Sequence, residues 1–299
     1  MSHAHPAAST SALTRAADDG RLGEFVAASS PARAELDAAA RRYTRPLQVQ
    51  VRGRPGTGRD TLARALRERL SITAIGPGEG DDGQVDADLW VYLLTGPPRR
   101  ADHQNLATLP TDRTIVVLGK ADIHGDPAVA DRLAARCADQ ILTPVYPVSP
   151  LLACVDLRDD EFDFLRRLVA AGEEMPSMAA QFPTATLAGR PTPAGAAPFL
   201  GDERALRAGL LRRVDQHGLE RALDLIADHD PAGAAVDALN DELRAMGRMT
   251  SLLDPVRQRI ASVRHWRALE LRAQVARIAA RGHDRDTLEY LLAGEAVPA

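Results

Sequence analysis

Apolar residues in the first two thirds of the chain occur in two kinds of segment. Short, almost continuous apolar runs at residues 87–96 and 113–122 are typical of strands buried on both faces of a parallel sheet. Between such runs, residues 59–70 and 127–138 carry apolar side chains at helical spacing. Strands that alternate with helices predict a doubly wound α/β domain with a mostly parallel sheet of about five strands.

Three further strands and one helix complete this part of the chain. Strands are predicted at residues 46–53, where apolar positions alternate before a Gly, at 71–78 and at 140–149. A helix is predicted at 159–172, and residues 13–43 predict one or two helices ahead of the first strand.

The C-terminal third is predicted to be helical and to follow a linker. Residues 182–201 are rich in Pro, Gly, Ala and Thr, a composition typical of linkers. Beyond them Gly218 and Gly247 predict helix ends, while Asp230-Pro231 and Asp254-Pro255 each place Pro after an N-cap residue. The pattern divides the chain into a tail with a helix (1–45), an α/β domain (46–181), the linker (182–201) and a helical domain (202–299).

Composition narrows the class of protein. The chain has 299 residues, with 37 basic and 41 acidic side chains and a net charge of -4, so bulk charge argues against a nucleic-acid partner. Its two cysteines form no disulfide framework, and no apolar run approaches the ~18 residues that a membrane span needs. We therefore expect a cytoplasmic protein, with peripheral contact to an anionic membrane as the only membrane association.

A glycine-rich turn between the first strand and the helix at 59–70 has the spacing of a phosphate-binding loop. Gly53, Gly56 and Gly58 fall where backbone N–H groups and a helix N-terminus would surround an anion. The alternative is a tight turn with no ligand.

The two residues that carry the chemistry of this motif are replaced. Arg59 stands in place of Lys, and Asp60 in place of the Ser or Thr that ligates Mg²⁺. Arg59 could still reach a phosphate, although its planar guanidinium is bulkier than an ammonium. Asp60 would add negative charge beside the phosphates, and Thr61 lies one residue too late. The alternative is that Arg59 and Asp60 only begin a helix.

A second motif stands at the end of the buried run 113–122. Lys120 and Asp122 match the last two fixed residues of [NT]-K-x-D, with which GTPases read guanine, and Gly119 replaces the Asn or Thr. The Asp accepts two hydrogen bonds from the guanine edge, and the Lys stem lies along the base. Lys120 is the only lysine in the chain. An ordinary surface loop is the alternative.

The remaining GTPase elements are incomplete. Ser149 and Pro150 hold the place of the loop whose backbone N–H meets guanine O6, but Pro150 has no N–H to donate. If Gly78 is the glycine of D-x-x-G, Ile75 stands where an Asp would contact Mg²⁺ through water. The sequence offers no candidate for the first switch loop, which would carry a Mg²⁺-binding Thr.

Together these motifs resemble a degenerate P-loop GTPase, and the helical region is similar to that of the actinobacterial dynamin-like GTPases. The second likeness is carried by Gly218-Leu219, Leu243, Leu252-Leu253, Val256, Ile260, Arg267-Ala268 and Leu271. The resemblance covers about residues 46–281 and implies a Ras-like P-loop domain followed by a helical domain. It implies GTP as the ligand, while the replaced ligands argue against Mg²⁺. The implied nucleotide site is Gly53, Gly56, Gly58, Arg59, Asp60, Thr61, Lys120, Asp122 and Ser149.

Other chemistry finds less support in the sequence. The eight histidines show no metal-ligand spacing and there is no C-x-x-C, so we expect no metal site. Arginines decorate the predicted long helix after Pro255, either as a solvated face or as a contact for an acidic partner or lipid headgroups. An acidic cluster predicts a solvated loop rather than metal ligands; its members are Asp81, Asp82, Asp86 and Asp88.

Three functions remain open from the sequence. The first is a GTPase-like protein that no longer hydrolyses GTP, because phosphoryl transfer depends on Mg²⁺. It would act as a regulatory or assembly partner of an intact dynamin-like GTPase, or through self-association. The second is a functional GTP-binding protein or GTPase with an atypical phosphate loop, in which Arg59 supplies the cation. The third is an interaction scaffold unrelated to nucleotides.

Overall fold

The structure is a computed structural model and describes residues 11–76, 87–184 and 197–294. The helices and strands in these ranges are, in chain order, α1 (Ala12–Asp18), α2 (Ala32–Thr44), β1 (Gln48–Gly53), α3 (Arg59–Leu70), β2 (Thr73–Ile75), β3 (Leu89–Leu94), α4 (Arg100–Leu106), β4 (Thr114–Leu118), α5 (Pro127–Ile141), β5 (Val145–Pro147), α6 (Pro150–Ala153), α7 (Asp159–Ala170), α8 (Ala197–Ala227), α9 (Val236–Met246), α10 (Leu253–Ala280) and α11 (Arg285–Ala293). Short 3-10 helices lie at Leu22–Phe25, Thr111–Arg113, Ala121–His124, Ala179–Thr184, Pro231–Gly233 and Met249–Leu252.

The chain forms two compact units. Residues 48–257 make up one, and residues 1–47 together with 258–299 make up the other. The division into segments at residues 45, 181 and 201, which was based on composition, stays a prediction.

Five parallel strands form one sheet in the order β2-β1-β3-β4-β5. The inner strands β3 and β4 are rich in Val and Leu and almost wholly buried, as expected of strands covered on both faces. From β1 the chain passes to β2 at one edge and then returns to β3 on the other side of β1. The predicted α/β fold with about five parallel strands is confirmed.

Two apolar clusters that lie within the described residues hold helices in the larger unit. One joins β3, β4 and β5 to α5 and contains Tyr92, Leu94, Val116, Leu118, Ala134, Cys137 and Val145. The other joins α6 and α7 to α8 and α9, and among its buried members are Leu152, Phe162, Leu165, Leu168, Leu219, Leu223, Leu239 and Leu243. Helices α8 and α9 therefore share a core with helices of the predicted α/β segment.

A buried arginine lies beside this second cluster. Arg207 of α8 has no exposed surface and forms ion pairs with Glu173 at 2.8 Å and with Glu203 at 2.9 Å. Its guanidinium also lies 5.4 Å from the ring centroid of Phe164 and 5.1 Å from that of Phe182. Two carboxylates and two aromatic faces thus offset part of the cost of burying this charge.

The smaller unit is helical. Its core joins α1 and α2 to α10 and α11, with Leu13, Leu22, Leu36, Leu271, Val275, Ile278, Leu288 and Leu291 among its buried members. Arg267 donates hydrogen bonds to the carbonyl oxygens of Tyr43, in the last turn of α2, and of Arg45 and Pro46, which follow the helix. One orphan carbonyl at the end of α2, that of Tyr43, is therefore satisfied by a cation, whose charge also suits the negative end of the helix dipole.

Several predicted boundaries are corrected. Residues 140–149 were predicted as a strand, but α5 extends to Ile141 and the strand is confined to Val145–Pro147. A helix end was predicted at Gly218, but the helical backbone of α8 is interrupted at Asp215 instead. There φ is 68°, and the Asp215 side chain accepts the Gln216 N–H. Gly218 serves packing, because a Cβ there would lie 2.5 Å from Leu152 Cδ2. Helix α4 has no counterpart among the predicted elements.

Other predictions match closely. Helix α3 occupies the predicted residues 59–70, and α10 begins one residue ahead of Asp254. Asp230 caps a turn that starts with Pro231, and its side chain accepts the Ala232 N–H at 2.8 Å. Within residues 11–76, 87–184 and 197–294, no helix is long and apolar enough to cross a membrane.

Candidate functional site

The glycine-rich loop leaves the sheet where the strand order reverses. β1 and β3 are neighbours, and the chain leaves their carboxyl ends in opposite directions along the sheet. In open α/β sheets this crevice is the usual place for a ligand. Residues 54–58, which connect β1 to α3, and residues 95–99, which connect β3 to α4, therefore border the candidate site.

The loop needs glycine at three positions. The φ angles of Gly53, Gly56 and Gly58 are 147°, 77° and 92°, values that side chains rarely adopt. A Cβ at Gly53 would also lie 2.7 Å from the carbonyl oxygen of Leu93, whereas Gly56 and Gly58 face open space within 4 Å. Thr57 fixes the turn through a 2.7 Å hydrogen bond from its hydroxyl to the Arg54 carbonyl.

The first backbone N–H groups of α3 are unpaired. Gly58 is the N-cap residue and has no side chain that could accept these N–H groups. Among the described residues, the first backbone hydrogen bond of α3 runs from the Leu62 N–H to the Gly58 carbonyl at 3.0 Å. In the described residues, the N–H groups of Arg59, Asp60 and Thr61 make no hydrogen bond. They point out of the helix start, which is a favourable place for an anion.

The two replaced residues stand at this helix start. The side chain of Arg59 is partly buried and that of Asp60 is exposed. Neither forms a hydrogen bond or an ion pair with any residue that the structure describes. The exposed carboxylate of Asp60 lies in the first turn of α3, close to the unpaired N–H groups that an anion would need.

A buried carboxylate holds the loop from the β3 side. Asp102 of α4 has no exposed surface and accepts hydrogen bonds from Arg54 Nε at 3.1 Å and from the Tyr92 hydroxyl at 2.9 Å. Its second oxygen accepts the Arg99 N–H at 2.8 Å, and Asn105 donates to the Tyr92 hydroxyl at 3.3 Å. Residues from β3, α4 and the glycine-rich loop are thereby joined.

Burial controls the ionisation of Tyr92. Loss of hydration raises the pKa of Tyr92 to about 12, and the nearby Asp102 carboxylate adds to the rise. Tyr92 is therefore a neutral hydrogen-bond donor at physiological pH.

The K-x-D turn and the loop after β5 are joined directly. The Asp122 backbone N–H donates to Ser149 Oγ at 2.8 Å, and the Ala121 N–H donates to the Val148 carbonyl at 3.2 Å. The Asp122 carboxylate is half-buried and is unpaired within the described chain, while Lys120 is exposed, with φ at 58°. The K-x-D turn lies two strands from the glycine-rich loop, a separation of about 10 Å.

Gly119 and the loop after β5 depart from the guanine-binding pattern in space as well as in sequence. A Cβ at Gly119 would lie 2.7 Å from Leu93 Cδ1, so the Asn or Thr of the motif would require the buried Leu93 side chain to shift. Ser149 is 1% exposed, and its backbone N–H donates to the Gly247 carbonyl at 3.0 Å. Pro150 begins α6 and is buried.

The acidic positions considered as metal ligands do not converge in the described residues. Asp81, Asp82, Asp86 and Gly78 lie outside those residues. Asp88 is fully buried and accepts the Gln48 N–H at 2.9 Å, which corrects its assignment to a solvated loop. Across residues 11–76, 87–184 and 197–294, no group of three or more His, Cys, Asp or Glu side chains could hold a metal ion.

Three contributors to this site were not found from the sequence. Arg54 and Asp102 form an ion pair between residues 48 positions apart, and Gly247 meets Ser149 across 98 positions. The one local signal for these contacts was Asp102 itself. Its carboxylate accepts the backbone N–H of the N-cap residue Arg99, a pattern typical of a helix start.

Comparison with known proteins gives no relative. No protein-family model matches the chain, and no curated protein or solved structure shows significant similarity to it.

Proposed function

We propose that this chain is a GTPase-like protein that has lost hydrolysis and acts as a regulatory or assembly partner of a dynamin-like GTPase. One observation carries the proposal: in the described residues, the glycine-rich turn between β1 and α3 leaves backbone N–H groups unpaired at the helix start, and a carboxylate, Asp60, lies in the first turn of that helix. The backbone N–H groups at the start of α3 are free in the described chain, yet Asp60 occupies the place of the metal-binding hydroxyl.

The missing metal contacts argue against turnover. Phosphoryl transfer needs Mg²⁺ to bridge the phosphates and neutralise the developing charge. Ile75 ends β2 and pairs with Gln50, so the position proposed for the second metal contact carries an aliphatic side chain. A phosphate could still meet the N–H groups of the loop, but the attacking water would have neither a metal nor a base to orient it.

The strand order of the sheet supports a nucleotide-binding domain. With the order β2-β1-β3-β4-β5, the glycine-rich loop follows β1, and the K-x-D turn follows β4 at the same edge. A GTPase domain without its antiparallel strand and first switch loop would have this strand order. The same order occurs in flavodoxin-like sheets, which also bind ligands at the β1/β3 crevice. The assignment to GTPases therefore rests on the loop and on the K-x-D turn together.

The partner is inferred from the helical region. The likeness of residues 218–271 to the helices of dynamin-like GTPases supports association with such a protein or self-association. Sedimentation of the protein alone distinguishes these two arrangements: a concentration-dependent increase in mass supports self-association, and a constant monomer mass supports a separate partner.

A second candidate function is a working GTP-binding switch. The Arg59 side chain is free of partners among the described residues, which favours its use as a phosphate cation. In that case GTP would bind tightly in the presence of Mg²⁺ and be hydrolysed.

Titration with GTP and a phosphate-release assay separate the two functions. We expect weak or no GTP binding with Mg²⁺, no loss of affinity when EDTA is added, and no phosphate release above a protein-free control. Micromolar binding that EDTA abolishes, together with steady phosphate release, would establish the switch and overturn the proposal.

A further inference from the structure

The smaller unit contains a cleft between α2 and the segment that ends α1. The cleft encloses about 340 Å³, a volume within the range of ~300–1,000 Å³ that is usual for small-molecule sites. One wall is a face of α2 and carries Arg33, Asp37 and Arg41. The facing wall comes from the end of α1 and the 3-10 helix after it, and carries Asp18 and Glu24. The lining residues all belong to the smaller unit, whereas the glycine-rich loop belongs to the larger one.

Opposite charges line this cleft without pairing with one another. Residues four apart on a helix lie close enough to form an ion pair, and Asp37 stands four residues from both Arg33 and Arg41. Within the described chain neither pair forms. The side chain of Asp18 also has no ion pair or hydrogen bond with any described residue. The charges of the cleft are therefore available to a ligand.

The direction of the Asp37 side chain accounts for the missing pairs. Its carboxylate is half-buried and lies against Gly23 of the facing 3-10 helix, where a Cβ would overlap Asp37 Oδ1. Gly23 is itself buried. The absence of a side chain at Gly23 thus lets the carboxylate point across the cleft, away from the two arginines of its own helix.

The unpaired charges are balanced, and this balance selects the class of ligand. Among the described side chains, the carboxylates of Asp18 and Asp37 and two guanidinium groups of α2 lack partners, while Glu24 is paired with Arg21 at 3.0 Å. A simple anion would be repelled by the carboxylates, and a simple cation by the guanidinium groups. We propose that this cleft binds a small zwitterion, a short peptide with a free ammonium and a free carboxylate. This site is independent of the proposed function.

The spacing of the charges fits a ligand of dipeptide length. Asp37 and Arg41 are separated by four residues of α2, or about 6 Å along the helix axis. An extended dipeptide spans about 7 Å, so its ammonium reaches the Asp37 carboxylate while its carboxylate meets the Arg41 guanidinium. The apolar part of the lining consists of Ala17 and Ala40, which offers little surface to large apolar side chains.

Three probes with the same diglycine backbone test this inference on the unmodified protein. Glycylglycine carries both charges, N-acetylglycylglycine lacks the ammonium, and glycylglycine amide lacks the carboxylate. Binding is followed by the backbone amide NMR signals of Gly20, which lines the cleft, and of Gly23. We expect glycylglycine to shift both signals and to bind at least about tenfold more tightly than either singly charged probe. Equal affinities for the three probes, or no shift with glycylglycine, would overturn the inference.

Asp37→Asn and Arg41→Gln assign the two ends of the ligand. Asp37→Asn should remove most of the preference for glycylglycine over its N-acetyl derivative and keep the preference over the amide, and Arg41→Gln should have the opposite effect. Asp286→Asn is the matched control, because this exposed carboxylate of α11 belongs to the same unit and does not line the cleft. We expect it to keep both preferences. Unchanged preferences in both cleft variants would mean that the peptide binds elsewhere, which would also overturn the inference.

Discussion

Replacing Asp102 with Ala should destabilise the unit of residues 48–257, because three donors lose one acceptor together. Asp102 is fully buried and accepts hydrogen bonds from Arg54, Tyr92 and the Arg99 N–H. Arg54 can turn towards water after the change, since 22% of its side chain is exposed. The Tyr92 hydroxyl is buried and would keep only the bond that it accepts from Asn105.

The magnitude follows from these contacts. A buried donor left without an acceptor costs about 1–3 kcal/mol, and a lost N-terminal helix contact costs about 1 kcal/mol. Removing one partner of a fully buried ion pair costs about 3–5 kcal/mol, a range that the exposure of Arg54 lowers. Because the three contacts share one carboxylate and do not add, we expect a loss of about 3 kcal/mol for Asp102→Ala. Asp102→Asn keeps the shape and one acceptor oxygen and should cost about 1–2 kcal/mol.

Urea unfolding followed by the fluorescence of Trp90 measures this loss. The chain has two tryptophans, Trp90 in β3 and Trp266 in α10, so a Trp266→Phe background reports on the larger unit alone. Asp112→Ala in the same background is the control, because Asp112 is exposed and should change the free energy of unfolding by less than about 0.5 kcal/mol.

Equal unfolding midpoints and slopes for Asp102→Ala and Asp112→Ala would refute the reasoning. That result would mean that the buried carboxylate does not hold the loop, α4 and β3 together.

Three further predictions address the core, the pH dependence and the K-x-D turn. Arg207→Lys should lower the free energy of unfolding by about 2–4 kcal/mol in the same urea assay, because an ammonium cannot pair with Glu173 and Glu203 and also lie against two aromatic rings; a change below 1 kcal/mol would contradict this. Burial raises the pKa of Tyr92 from 10.0 to about 12, so its contribution to stability is complete below pH 10 and is lost as the pH rises towards 12. Tyr92→Phe should flatten this alkaline decline, and an unchanged decline would show that another group causes it. If GTP binds, Asp122→Ala should abolish the preference for GTP over ATP in a competition titration, whereas equal affinity for both in the unmodified protein would rule out an inherited guanine site.

The strands and helices that depend on local pattern were predictable. Residues 89–94 and 115–118 are continuous apolar runs, which indicate inner strands without further information. Helix α3 was predicted residue by residue because the glycine-rich turn marks its start and apolar spacing marks its length. The boundaries of β5 were less accurate, because the apolar residues of α5 and of the strand run together around Ile141.

Helix α4 could not be predicted from its own sequence. Residues 100–106 show no helical apolar spacing, and Asp102 is the only residue of α4 that is buried. The helix is held by hydrogen bonds from Arg54 and Tyr92, which lie earlier in the chain. Its stabilising contacts are therefore tertiary and leave no periodic signal.

The candidate site was predictable only in part. The sequence named the three loop glycines, Asp122 and Ser149 as candidate site residues, and the structure joins the last two by a hydrogen bond from the Asp122 N–H to Ser149 Oγ. Gly247 was predicted only to end a helix, because a glycine that packs against Ala153 cannot be told from a helix-ending glycine in a sequence. Only the folded chain shows that its carbonyl meets Ser149.

The most direct test of the proposed loss of metal chemistry is to replace the two loop residues with those of the motif, Arg59→Lys and Asp60→Ser. The pair exchanges a bulky cation for an ammonium and a carboxylate for a metal-binding hydroxyl. GTP affinity is measured side by side in the unmodified and repaired proteins, with Mg²⁺ and with EDTA. We expect the repaired protein to bind at least about tenfold more tightly, a gain of about 1.4 kcal/mol, only when Mg²⁺ is present. Equal affinities in the two proteins would contradict the proposal, because the loop would then not face a phosphate.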